Sequence, residues 1–474
     1  MMHDTRAWFL CRVNDSGMVC TAKPLVYVPM SMPSANTALA SSDRKTQIRA
    51  AVLQCFCDPL PQSFDRLTSL SARDWQRLLY WLDVSGLALY FFDRLDELQR
   101  RDLLPEAVAA RLEQNLLDNT VRTRHLMDES ATIQTEFQRA NLSYAVLKGF
   151  SLCPISVPRP ELRSQLDLDF LVSADNALGA RHILERCGFR LHAISGRSWE
   201  FKTVHPPGSL ADLYKPNRLR SIELHLEPSG GALLRRLQWR DFHGISSPVL
   251  PAADLFLGQA AHLFKHICSA WSRTAHLIEF RRHVIARQDD LDFWQKLRAT
   301  AGGTPQTTWA LGLVSHLITH LMSDFAPRAL TCWTVDCLPP IARLWVETYG
   351  LRTTFAIFPG TKLYLILQRE FETAGLPAKR PVQRSLLPLR LPPPIAVAPE
   401  QESLTARVRR HQAQMKFVLS RLRFHVVEGV RFALERKRWQ KTRKTFQRQS
   451  SGLYHRSSPL PIDFAGNLPY ETKE

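Results

Sequence analysis

The stretch Leu166-Asp167-Leu168-Asp169-Phe170-Leu171-Val172 limits the fold of this chain more than any other. Its first five residues alternate, with Leu166, Leu168 and Phe170 on one side and Asp167 and Asp169 on the other. That period of two defines a strand with one face against a core. A paired-carboxylate face beside a fully apolar one needs a sheet that is covered on one side and open on the other.

The neighbours of that strand extend the sheet. Upstream, 143–147 is a short β-type run closed by Lys148-Gly149. Downstream, Ser173 is placed to cap a helix over 174–187, with Gly188 as its stop. Strands are expected near 189–193 and 199–205, and 221–227 alternates in the same way as 166–172. The implied class is α+β: a small mixed sheet over 141–228 between two helical regions. The N-terminal one, 43–140, contains a helix capped by Ser71 and ending at Gly86, and a long helical stretch opened by Pro105. The C-terminal one runs over 229–375. Residues 1–42 hold no regular period and are expected to be poorly ordered. The seven prolines within 376–399 mark 376–402 as a linker, 403–448 reads as a basic helix, and 449–474 as a loose end.

Aspartates two apart on a strand are about 7 Å apart at the backbone and point the same way. Their repulsion calls for a cation, most simply Mg²⁺ held by carboxylate oxygens, with Mn²⁺ as an alternative. An outward acidic face on an edge strand is the competing explanation. Other residues favour the metal. Lys148, Gly149 and Ser151 lie at a strand-to-helix turn, where backbone N–H groups and a lysine can hold phosphate. Arg163 stands four residues before the pair. Glu223 and His225 share one face of a later strand, so a third carboxylate can join the first two. Paired aspartates that bridge metals, with a third carboxylate to take a proton, are what two-metal phosphoryl transfer requires.

These segments together resemble a known family. The run from Tyr144-Ala-Val-Leu-Lys-Gly through Arg163, the D-x-D strand and the helix ending in Gly188-Phe189, to Ile222-Glu223-Leu224-His225, is similar to the bacterial uncharacterised nucleotidyltransferases of the polymerase-β-like superfamily. The likeness covers about 70–300. It implies metal ligation and catalysis by Asp167, Asp169 and Glu223, with Lys148, Gly149, Ser151 and Arg163 binding the nucleotide. Two departures are visible: bulky Phe150 follows Gly149, and Glu279 stands where the family often has aspartate. The implied activity is Mg²⁺-dependent transfer of a nucleotidyl group from an NTP to an unknown acceptor hydroxyl, releasing pyrophosphate. Two other readings stay open: a toxin-like or defence-type transferase acting on tRNA, and a non-catalytic binding module.

His262 and His266 are four apart on one helix, but Leu263-Phe264-Lys265 between them lacks the glutamate of a zinc peptidase. They are read as core residues or, with His225, as lining of the cleft.

Hydrophobic residues at 45% and charged residues at 22% fit a globular chain, and no apolar run is long enough to span a membrane. Nine cysteines without a C-x-x-C pair read as reduced thiols, so the expected compartment is the cytoplasm. The net charge of +18 is uneven: fourteen Lys and Arg between 403 and 448 face only Glu428 and Glu435. Contact with RNA or another polyanion therefore belongs to this segment, if to any. Met415, Val418, Leu419, Leu422 and Val426 form an apolar stripe there that would dock on the body.

Overall fold

The computed structural model describes residues 35–203, 210–216, 221–242, 244–376, 385–386 and 403–456. Contact density divides the chain into two units, Met1–Gly429 and Val430–Glu474.

The first unit opens with helices α1 (Ala35–Gln54), α2 (Ala72–Ser85), α3 (Ala88–Glu97) and α4 (Glu106–Arg139). α1 begins inside the stretch expected to be poorly ordered, while 1–34 lie outside the described residues. Local chemistry fixes the ends of α2. The Ser71 hydroxyl accepts from the Asp74 N–H, Asp74 reaches back to the Ser71 N–H, and Gly86 closes the helix at φ 76°. α4 is one continuous helix.

Seven strands follow: β1 (Tyr144–Leu147), β2 (Asp167–Ser173), β3 (Arg190–Ser195), β4 (Ser198–Lys202), β5 (Ser221–Glu227), β6 (Gln238–Phe242) and β7 (Ile245–Val249), with α5 (Ala177–Arg186) between β2 and β3. They form a single mixed sheet in the order β3-β4-β5-β2-β1-β7-β6. β2 pairs parallel with β5 and antiparallel with β1. The β6–β7 hairpin was not expected; it lies in a stretch read as helical and adds two strands beside β1.

One face of the central strands is sealed. Leu168, Phe170, Ile222 and Leu224 pack in one cluster with Ile133 and Phe137 of α4 and Ala180 and Leu184 of α5. The rings of Phe137 and Phe170 meet edge to face at 5.6 Å. The opposite face of the same strands carries Asp167, Asp169, Glu223 and His225.

The helices after the sheet are α6 (Ala252–Ile267), α7 (Ala275–Ile285), α8 (Leu291–Ala301), α9 (Pro305–Met322), α10 (Arg328–Thr331), α11 (Pro340–Thr354) and α12 (Tyr364–Thr373). Most of the proline-rich linker lies outside the described residues. Beyond it, α13 (Leu404–Arg456) is a single helix that continues past residue 448, into the segment expected to be loose; 457–474 are outside the described residues. The second unit, as far as it is described, is the remainder of this helix.

The expected docking stripe on α13 is corrected. Met415, Leu419, Leu422 and Val426 are each more than half exposed. In the first unit the inward residues are Phe424 and Glu428, whose carboxylate accepts from the Lys362 N–H at 3.3 Å. The helix carries apolar residues on two sides, and the side with the aromatic ring is buried. Among the described residues, no helix is long and apolar enough to cross a membrane.

Candidate active site

Strand register assembles the site. Leu147 lies opposite Asp169, and Asp169 opposite Glu223, so β1, β2 and β5 deliver their residues to one spot. Lys148 follows Leu147 directly. Its backbone has φ 49°, the left-handed region that a residue with a Cβ rarely occupies. This turn points its ammonium across the sheet, 2.7 Å from Asp169 Oδ1 and 3.6 Å from Glu223 Oε2. Gly149 continues the turn at φ 44°, where a Cβ would sit 2.3 Å from the Gln165 side chain. Gln165 in turn donates to the Asp167 carbonyl at 2.7 Å. The turn is therefore closed by contact with the residue that enters β2.

Asp169, Glu223 and His225 offer ligand atoms that all lie within 4.8 Å of one another. His225 Nε2 is 2.9 Å from Asp169 Oδ1 and 3.5 Å from Glu223 Oε2. Ser198 on β4 donates to Glu223 Oε1, a contact the sequence reading missed. Burial alone would raise the carboxyl of Asp169, but Lys148 and His225 outweigh it and hold it well below the usual range. Glu223 is lowered by the same balance. Burial works against the charge on Lys148, and Asp169 and Glu223 reverse that and raise it. All three are ionised at neutral pH. Asp167 shares the β2 face but lies outside this trio.

The rest of the expected nucleotide turn differs in detail. Gly149–Leu152 is a four-residue 3₁₀ turn and not the start of an α-helix. The Ser151 N–H and hydroxyl both donate to the Lys148 carbonyl at 2.8 Å, so they brace the turn from within. Arg163 donates through Nε to Glu279 Oε1 at 2.9 Å, and Tyr90 donates to the same oxygen at 3.1 Å. This guanidinium is thereby tied to α7.

His262 and His266 on α6 are brought together with His276 on α7, which the sequence reading also missed. Ring centroids are 4.5 Å apart for His262–His266, 5.2 Å for His262–His276 and 5.5 Å for His266–His276. Burial, aided by neighbouring cations, lowers all three, His266 to about 3, so the rings are neutral. The available signal was a third histidine ten residues after His266, at the start of the next helix.

A mixed sheet with a buried carboxylate–lysine cluster on one face agrees with the family that comparison finds. Residues 71–328, more than half of the chain, match the family described as uncharacterised nucleotidyltransferase, and the chain belongs to that family. Membership supports a transferase that handles nucleotides. Among solved structures, a nucleotidyltransferase-like antigenic protein from Paracoccidioides brasiliensis is 12% identical over 45% of this chain and 95% of its own, at a TM-score of 0.24. No curated protein matches.

Proposed function

We propose that this chain is a Mg²⁺-dependent nucleotidyltransferase of the polymerase-β-like kind, which moves a nucleotidyl group from an NTP to an acceptor hydroxyl. The observation that carries this is the juxtaposition of Asp169 and Glu223 across paired strands, with Asp167 on the same face and Lys148 between the two carboxylates. The donor set fits the metal: the acids supply hard oxygens, and the ammonium already placed among them marks where positive charge is needed. Asp167, Asp169 and Glu223 would hold Mg²⁺, or Mn²⁺ in its place. When bound, it would supply charge neutralisation for the phosphates.

The remaining roles fall to the chain itself. Lys148 is positioned to pair with a phosphate oxygen once its carboxylate partners are otherwise engaged. Glu223 is the more exposed carboxylate of the trio, and is placed to take the proton of the acceptor hydroxyl. The acceptor oxygen then bonds to the α-phosphorus as the bond to the pyrophosphate oxygen breaks. Ser198 holds Glu223 Oε1 against β4, which orients Oε2 toward Lys148 and His225.

Incubating purified protein with α-labelled NTPs, Mg²⁺ and cell extract tests this reading. Label should pass to an acceptor with wild type and not with Asp169→Asn. Label on RNA would select the tRNA-directed reading. No transfer with any NTP or extract would leave the binding-module reading.

A further inference from the structure

We propose that His262, His266 and His276 form a second metal centre, selective for a borderline transition cation such as Zn²⁺ and distinct from the hard-cation site on β2 and β5. One ring nitrogen from each lies within 4.8 Å of the other two. Imidazoles on tetrahedral zinc, with Zn–N of about 2.0–2.1 Å, are separated by roughly 3.3 Å, so small ring rotations close the set around an ion. Three neutral imidazoles and one open position form a donor set that suits zinc and is poor for Mg²⁺, which prefers oxygen.

Two observations point to a ligand here and not merely to packing. His276 is nine-tenths buried and its Nδ1 has no hydrogen-bond partner. A buried ring nitrogen left unmatched is costly, and an ion or its bound water would satisfy it. His266 Nδ1 faces the Trp271 carbonyl at 3.5 Å, and that carbonyl is itself fixed by the Ser269 hydroxyl at 3.0 Å. A carbonyl facing one nitrogen of a ring is how proteins present the other nitrogen to a metal. Of the cations around the trio, Lys148 is matched by Asp169 and Arg163 by Glu279. Arg273 donates to the Ser164 carbonyl and hydroxyl and, with Lys265, opposes a further positive charge that the three ring nitrogens would have to offset.

The placement of the trio is economical. His262 and His266 are one turn apart on α6, so they share a face. His276 is the second residue of α7, reached through a short connection from the end of α6. A metal here would fasten the α6–α7 corner.

The test uses the full chain, stripped with a chelator and then titrated with Zn²⁺, and with Co²⁺ as a visible probe. Wild type should bind one tight equivalent of Zn²⁺ that millimolar Mg²⁺ does not displace. Asp169→Asn should keep it, since that change touches only the carboxylate trio. His276→Gln and His262→Gln should each weaken it at least about 100-fold, the upper end of what losing a supporting partner alone costs. If either variant fails to fold, X-ray absorption on the zinc-loaded wild type decides, with three nitrogen donors at about 2.0–2.1 Å expected. Absence of a tight equivalent in wild type would overturn the proposal. So would loss of zinc in Asp169→Asn, unchanged affinity in a folded His276→Gln, or oxygen-dominated coordination.

Discussion

Lys148 Nζ lies 2.7 Å from Asp169 Oδ1, and it reaches there because its own backbone takes a left-handed turn at the end of β1. The ammonium thus occupies the position that a divalent cation would share. Lys148→Met should leave the Asp169 and Glu223 carboxylates with His225 as their nearest remaining partner. Breaking a buried pair costs about 3–5 kcal/mol, and the one-quarter exposure of this lysine reduces the expected loss to roughly 2–3 kcal/mol. In the same variant Mg²⁺ should bind more tightly. Chemical denaturation with and without Mg²⁺ reads both effects.

The same pair sets a pH window. Asp169 is held below its unfolded value of about 3.9, so its contribution is present above that pH and is lost as acid takes the pH down toward the folded value. Lys148 is raised above about 10.4, so its contribution is present below that pH and is lost only in stronger alkali. Stability from the pair should be flat from about pH 4 to 10. Lys148→Met should flatten the acid limb of the wild-type curve, which denaturant titrations from pH 2 to 5 would show.

Mg²⁺ itself should stabilise the fold. At a hundredfold excess over Kd the gain is about 2.7 kcal/mol, and Asp169→Asn, nearly the same shape, should abolish it. An unchanged melting midpoint in wild type at saturating Mg²⁺ would remove the metal from the carboxylate site.

Glu223→Gln should lower turnover by about 10²–10⁴ if Glu223 takes the acceptor proton. Ser198→Ala, which frees the other oxygen of that carboxylate, should have a smaller effect and mainly on kcat. Full activity in Glu223→Gln would move the role elsewhere.

The site was legible in the sequence wherever it depended on strand period. The alternation in 166–170 and in 221–227 put Asp169 and Glu223 on the faces turned away from the apolar core, and the sheet's register then made them neighbours. Lys148 was visible as a turn residue, but its reach to Asp169 depends on a backbone angle that no pattern encodes. The β6–β7 hairpin escaped notice because Gln238–Phe242 is mostly exposed and mixes charges with aromatics, and β7 contains Pro248. His276 was missed because its partners are on another helix. For α13, periodicity found an apolar stripe but could not rank it against the side bearing Phe424.

The basic helix gives the last test. Its fourteen cations between 407 and 448 lie beyond the proline-rich segment and outside the residues that match the family, which end at 328. They are expected to tune partners and not chemistry. Deleting 400–474 should leave the Mg²⁺ response intact and remove most affinity for polyanions. Each phosphate neutralised contributes about 0.9 to the log–log salt slope on duplex DNA and somewhat less on single strands, so roughly six contacts give a slope near −5 that truncation abolishes. The outward position of Met415, Leu419, Leu422 and Val426 sharpens the test. A helix serving only as a docked brace would protect Phe424 and Lys362, so its removal would lower solubility while hardly changing salt-dependent binding. Titrating a fluorescent RNA against both proteins at three salt concentrations separates the two outcomes. Weak, salt-independent binding by the full chain would take RNA off the list of partners.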